Sequence, residues 1–167
     1  GLDTQDCRRW VPRLSTDTVQ TRLFTEADVQ RAKNSSTDDC SFPFRMGSRG
    51  YEYWESDLHN IISLGLDICR LSISWSRLFP TGFEDQPNPE NVAYYDRIIR
   101  ALANAKIKVF VTINHYAIPI AIIDRYGGWR HRDVIGLYLM MAKFVVNRWR
   151  GDVDYWLPIN EINSGYL

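Results

Sequence analysis

No apolar stretch in this chain reaches the roughly 18 residues that a membrane-crossing helix needs. Net charge is absent too: 20 basic residues balance 20 acidic ones. A nucleic-acid-binding domain normally leaves a basic footprint, and an electrostatic membrane patch needs one as well, so neither partner is expected. Cysteine is scarce and odd in number. Cys7, Cys40 and Cys69 follow no metal-ligand spacing, and Cys69 lies inside an apolar run, where it reads as a buried thiol. This usage fits a reducing cytoplasm, with a Cys7–Cys40 pair left open. The start is polar and lacks Met, so it shows no signal peptide and reads as beginning in mid-protein.

Aromatic residues, by contrast, are plentiful, with six Trp and nine Tyr among 167 residues. They fit either core packing or a cleft that stacks against sugar rings. An apolar content of 45% at this length indicates one soluble globular domain with a core.

Residues 1–50 show weak periodicity and many Ser, Thr, Asp and Arg. They read as a long surface excursion with one short helix near Thr25–Lys33, where Thr25 suits the N-cap. After Gly50 the pattern sharpens. Trp54, Leu58, Ile61 and Ile62 fall at helical spacing within Tyr51–Leu64, and Gly65 suits the stop. Asp67–Ser74 reads as a strand and 82–89 as a loop. Asn88 followed by Pro89 opens a helix whose apolar face carries Val92, Tyr95, Ile98, Ile99 and Leu102. Ile107–Ile113 is a nearly continuous apolar strand. A short helix over Ile118–Tyr126 closes at Gly127-Gly128, a long one covers 132–150, and Asp154–Asn160 is the last strand. Pro158 predicts an irregularity there, because proline donates no ladder hydrogen bond.

Helix and strand therefore alternate, which implies parallel strands with right-handed crossovers. A doubly wound dinucleotide fold should show Gly-x-Gly-x-x-Gly after its first strand. Neither that motif nor a phosphate-loop Lys is present, which favours a barrel segment. Each strand also ends in polar side chains: Ser74-Trp75-Ser76-Arg77, Asn114-His115-Tyr116, and Asn160-Glu161. A β/α barrel builds its active site from the C-terminal ends of its strands.

Glu161 is the candidate general acid/base. An enclosed carboxylic acid resists ionisation and can hold a proton near neutral pH for a leaving oxygen. Asn160 can bond a sugar hydroxyl, and so can a neutral His115. Arg70 interrupts an apolar strand, so a carboxylate is expected to face it. Each has a purely structural alternative: a helix cap or solvent for Glu161, a packed ring for His115, an ion pair for Arg70. Trp75 and Arg77 read as packing and loop anchors, and Trp129 as a wedge under a loop.

Arg70-Leu71-Ser72-Ile73-Ser74-Trp75-Ser76-Arg77-Leu78-Phe79-Pro80 resembles the second-strand motif of glycoside hydrolase family 1, the β-glucosidase family. Asn114-His115-Tyr116 with Pro119, then Tyr126-Gly127-Gly128-Trp129, resembles its third-strand segment. Trp156 to Glu161 resembles its fourth-strand acid/base motif. The resemblance runs in order from about Gly50 to Leu167, and Gly1–Asp6 and Phe42–Gly47 look like linkers of bacterial members.

It implies an α/β fold, a partial (β/α)8 TIM barrel comprising about strands two to four with their helices. Residues 1–50 would be a loop-rich segment of the first βα connection and 51–167 the partial barrel. Glu161 would be the general acid/base. Asn160, His115 and Tyr116 would bind substrate, and Arg70 would sit beside the nucleophile and keep it ionised. The substrate would be a β-glucoside or oligosaccharide, cleaved by a retaining double displacement. Two carboxylates suffice for that reaction, so no metal or organic cofactor is expected.

Two departures stand out. Ile162 replaces the usual Pro after the acid/base, and Tyr116 replaces the usual Trp after the histidine. Both resemble the 6-phospho-β-glucosidase branch. The family's nucleophile motif, like Thr-Glu-Asn-Gly, is missing, as is its first strand; Glu84 and Asp85 have no matching context. The expectation is therefore a piece of a longer enzyme, inactive and poorly soluble alone. The alternatives are a non-catalytic or decayed sugar-binding member, or an unrelated α/β binding protein. Oligomeric state is not legible.

Overall fold

A computed structural model describes residues 49–163. The first helix, α1 (Trp54–Ser63), sets Glu55 and Asp57 in its first turn, where acidic groups complement the helix dipole. It stops at Leu64, and Gly65 follows with φ +64, the left-handed stop its position predicts. Strand β1 (Ile68–Ser72) comes next, then a single turn of helix, α2 (Trp75–Leu78). In α3 (Pro89–Asn104) the Asn88 side chain accepts from the Asn91 amide at 3.0 Å, and Pro89 occupies the first turn, as the sequence indicates. Strand β2 (Lys108–Asn114) leads to α4 (Ile120–Tyr126), which ends on left-handed Gly127. A 3-10 turn (Gly128–Arg130), α5 (Asp133–Trp149) and β3 (Tyr155–Ile159) complete the order.

The three strands are parallel and lie in chain order, β1-β2-β3. Period-two alternation divides them into two faces. Cys69, Leu71, Val109, Val111, Ile113 and Trp156 pack against a core built with α3, α4 and α5. Ile99, Leu102, Val109, Val111, Met141, Val145 and Trp149 are fully buried there. The opposite face carries Ile68, Arg70 and Ser72, then Phe110 and Thr112, then Tyr155 and Leu157, in register. No described helix covers it, and Ile68 and Tyr155 stay almost half exposed. Helices on one face only, with strands in unbroken order, are what a barrel wall shows; a doubly wound sheet is covered on both.

The irregularity expected at Pro158 is present. The β2–β3 register pairs Thr112 with Leu157 and Asn114 with Ile159 but skips the pair between them. The Pro158 carbonyl is satisfied from α5 by the Tyr138 hydroxyl at 2.7 Å. The register itself does not shift: Cα partners stand 45 positions apart both before Pro158 (Thr112 with Leu157) and after it (Asn114 with Ile159).

Two strand boundaries move inward from the sequence reading. The first strand stops at Ser72 rather than Ser74, because the Ser74 amide turns to the Tyr95 hydroxyl at 2.9 Å and the Ser74 carbonyl starts α2. The last strand begins at Tyr155. Asp154 instead holds the Val109 amide with its carboxylate at 2.8 Å. The expected helix at Thr25–Lys33, and Cys7 with Cys40, lie outside the described residues. Cys69 is half-buried rather than buried, and desolvation pushes its thiol up. Among the described residues no helix is long and apolar enough to cross a membrane.

Candidate active site

The C-terminal ends of the strands bring Arg70, Ser72, Thr112, His115, Tyr116, Asn160 and Glu161 together. Arg70 points out of β1 on the helix-free face. Its Nε donates to Thr112 Oγ1 at 2.8 Å and its Nη2 to Asn160 Oδ1 at 2.5 Å, while its guanidinium lies 5.5 Å from the Phe110 ring centre. The expected carboxylate partner is not among the described residues; two neutral acceptors hold the fork instead. Thr112 and Asn160 are both buried, so losing this donor would leave two acceptors unpaired. Because Asn160 spends its carbonyl on Arg70, it offers a ligand its amide N–H pair.

His115 follows β2, and its Nδ1 lies 3.0 Å from the Ser72 hydroxyl. Burial holds its imidazole below the usual 6.5, the Arg70 charge adds to this, and the Glu161 carboxylate opposes both. The ring is therefore neutral at pH 7, with one nitrogen a donor and the other an acceptor. Asn114, the last residue of β2, serves the backbone: its Nδ2 donates to the Ala117 carbonyl at 3.1 Å and closes the turn.

Tyr116 and Glu161 face each other across the ends of β2 and β3, and the Tyr116 hydroxyl donates to Glu161 Oε2. Both have left-handed backbones, with φ 71 and φ 42. A side chain with a Cβ avoids that region, at a cost of about 1–3 kcal/mol where the surroundings enforce it. Glu161 is exposed rather than enclosed as the sequence reading expected. The described strands form one side of the mouth.

Other candidates resolve as structure. Trp75 is fully buried beneath the Trp129 and Tyr138 rings, 5.9 Å from each, and its Nε1 has no hydrogen-bond partner among the described residues. Trp129, half exposed, rests on Trp75 and Tyr138 as a wedge. The Arg77 guanidinium sits 3.8 Å from the Tyr51 ring centre. Glu84 caps its own loop by accepting from the Thr81 and Gly82 amides at 2.7 and 2.9 Å. Burial pushes that carboxyl up, but the hydrogen bonds outweigh burial and hold it below its usual value. An open hollow of about 290 Å³ lies at the opposite strand ends, lined by Lys106, Lys108, Asp152 and Asp154, away from this chemistry. No described group of three or more His, Cys, Asp or Glu could hold a metal ion.

Ser72 and Thr112 belong to the site, and the sequence reading passed over both. Their signal was the two-residue alternation that puts Ser72 on the face of Arg70, and Thr112 one step before Asn114. The β1–β2 register that pairs Ser72 with Thr112 was not readable from the chain.

Residues 23–166 match the model of glycosyl hydrolase family 1. The chain belongs to that family. It is 35% identical over 151 residues to a phospho-cellobiase of Klebsiella oxytoca, covering 90% of this chain and 31% of that protein. It is 39% identical over 113 residues to the aryl-phospho-β-D-glucosidase BglH of Bacillus subtilis (strain 168), covering 68% of this chain and 24% of the relative. Among solved structures it is similar to the β-glucosidase from Thermotoga maritima in complex with castanospermine. That likeness has a TM-score of 0.63 at 32% identity, over 67% of this chain and 25% of the other. The chain thus spans about a quarter to a third of the length of these relatives. The fold of this family member is a partial (β/α)8 barrel, and its open sheet face is the inner wall.

Proposed function

We propose that the protein carrying this chain hydrolyses the β-O-glycosidic bond of β-glucosides by a retaining double displacement, with Glu161 as general acid/base. One observation carries the reading. In a chain of this family, the Asn160-Glu161 pair emerges at the end of β3 beside His115, Tyr116 and Arg70.

In the first step Glu161 gives its proton to the departing glycosidic oxygen while a second carboxylate, outside this chain, attacks the sugar carbon. In the second step Glu161 takes a proton from the water that releases the sugar. Asn160, its carbonyl fixed by Arg70, donates to the hydroxyl next to the reacting carbon. His115 binds another hydroxyl of the same ring, and the half-exposed face of Tyr116 lies against substrate. Arg70 would also reach the nucleophile and favour its ionised form. No metal or organic cofactor enters.

The names of the relatives support a 6-phosphorylated glucoside as substrate, since several are phospho-β-glucosidases. Ile162 and Tyr116, the departures noted above, point the same way.

The test is Glu161→Gln in the full-length protein. Loss of a general acid costs about 10²–10⁴ in rate on substrates with poor leaving groups. Activated aryl glycosides, which need little protonation, should lose much less in the glycosylation step. Equal losses on both classes would remove Glu161 from the acid role. Comparing 4-nitrophenyl β-glucoside with its 6-phosphate settles the sugar.

A further inference from the structure

We propose that Tyr116 is a positioning residue for Glu161: its hydroxyl fixes the carboxyl group that protonates the leaving oxygen. This rests on the reading of Glu161 as acid/base and adds a role that sugar contact by Tyr116 does not supply.

The argument is geometric. Glu161 is exposed and sits just past the end of its strand, so its side chain has rotamers to choose from. The phenolic O–H of Tyr116 donates to Oε2 and selects one of them. Because Oε2 accepts this bond, the transferable proton belongs on Oε1. The two residues stand 45 positions apart, and what brings them together is backbone. Both adopt positive φ, which only four non-glycine residues do among those described. Two costly turns at the ends of adjacent strands aim two side chains at one another. Such strain persists where the surroundings enforce it and is common at functional sites. The Tyr116 ring is itself steadied by the edge of His115, with centroids 5.1 Å apart. A phenylalanine would keep that ring contact and lose only the hydroxyl.

The consequence is specific to leaving groups. A general acid works when its proton lies within hydrogen-bond reach of the departing oxygen. Releasing the carboxyl from Tyr116 spreads it over several rotamers and lowers the productive fraction. Substrates that depend on protonation then suffer more than substrates with a good leaving group.

The experiment uses the full-length protein with Tyr116→Phe, Glu161→Gln and the double variant. The probes are a methyl β-glucoside and a 2,4-dinitrophenyl β-glucoside, as 6-phosphates if that is the form turned over. Tyr116→Phe should lower kcat/KM for the methyl glycoside about tenfold more than for the dinitrophenyl glycoside. In the Glu161→Gln background the same change should have no further leaving-group effect, because the two residues act as a unit.

Equal losses on both probes would make Tyr116 a sugar-contacting residue only and overturn the proposal. So would wild-type rates on both, or an experimental structure of the whole protein with the Tyr116 hydroxyl beyond reach of both Glu161 oxygens. If Glu161→Gln itself shows no leaving-group dependence, the acid/base reading fails first, and this inference goes with it.

Discussion

Replacing Asp96 tests what joins the two long helices. Asp96 on α3 accepts from Arg148 Nε at 3.0 Å and also from Arg148 Nη2, while Trp149 Nε1 on the same α5 turn donates to it at 2.8 Å. Arg100 stands 3.7 Å away. The Arg148 side chain is 41% exposed, so its pair with Asp96 is worth only about 0–1 kcal/mol. Trp149 is fully buried. Asp96→Ala strands its indole N–H without an acceptor, at about 1–3 kcal/mol. The expected sum is about 1–4 kcal/mol, with most of it from the indole. Asp96→Asn keeps an acceptor for the indole and should cost under about 1 kcal/mol, as should Arg148→Ala.

Urea unfolding of the full-length protein, followed by Trp fluorescence at constant slope, gives the three differences. Asp96→Asn or Arg148→Ala as costly as Asp96→Ala would refute the reasoning and make the charge pair the main tie. The pH dependence adds a check on sign. Burial pushes the Asp96 carboxyl up, but the Arg148 and Trp149 bonds and the charges of Arg148 and Arg100 outweigh it and hold it below 3.8. A depressed carboxyl stabilises the fold above its unfolded value and loses that contribution as pH falls through the folded one. The gap between wild type and Asp96→Asn should therefore be full at neutral pH and close in acid below 3.8.

Other predictions follow from the site and its loops. By NMR, His115 should titrate below 6.5, with Arg70→Gln raising the midpoint and Glu161→Gln lowering it, because the first removes a repelling charge and the second an attracting one. Opposite shifts would place the ring elsewhere. Gly82 has φ +81, and an added Cβ would lie 2.3 Å from Ile122 Cδ1. Gly82→Ala should cost at least about 1–3 kcal/mol through overpacking, read as a lower melting temperature, and an unchanged one would show that the loop yields freely.

The legible parts of this fold were those written in local chemistry. Asn88-Pro89, Gly65 and Gly127 mark helix ends because caps and left-handed stops depend on neighbouring residues alone. The run of Val109, Val111 and Ile113 declared its strand in the same way. The turn α2 was not foreseen, since four residues cannot sustain a helix by propensity. Burial of Trp75 and Leu78 holds it, and that is a tertiary fact. The same limit governs the site. Glu161, Asn160, His115, Tyr116 and Arg70 were each visible as polar residues at strand ends or within apolar runs. Which of them touch was not, because the Arg70–Asn160 and Tyr116–Glu161 bonds join positions 90 and 45 apart. The partner of Arg70 was misjudged for that reason: the residue lies exposed on the open sheet face rather than buried, and an amide with a hydroxyl answers its guanidinium as well as a carboxylate.

The stop of β3 at Ile159 has a second use. Strict pleating would send residue 160 to the helix side with Trp156, so that one of two consecutive side chains faced inward. The strand stops at Ile159 and the chain turns there, so Asn160 meets Arg70 while Glu161, on its left-handed backbone, reaches Tyr116. Ending the strand there thus brings neighbours along the chain to the same mouth, as the proposed sugar contact and proton transfer require.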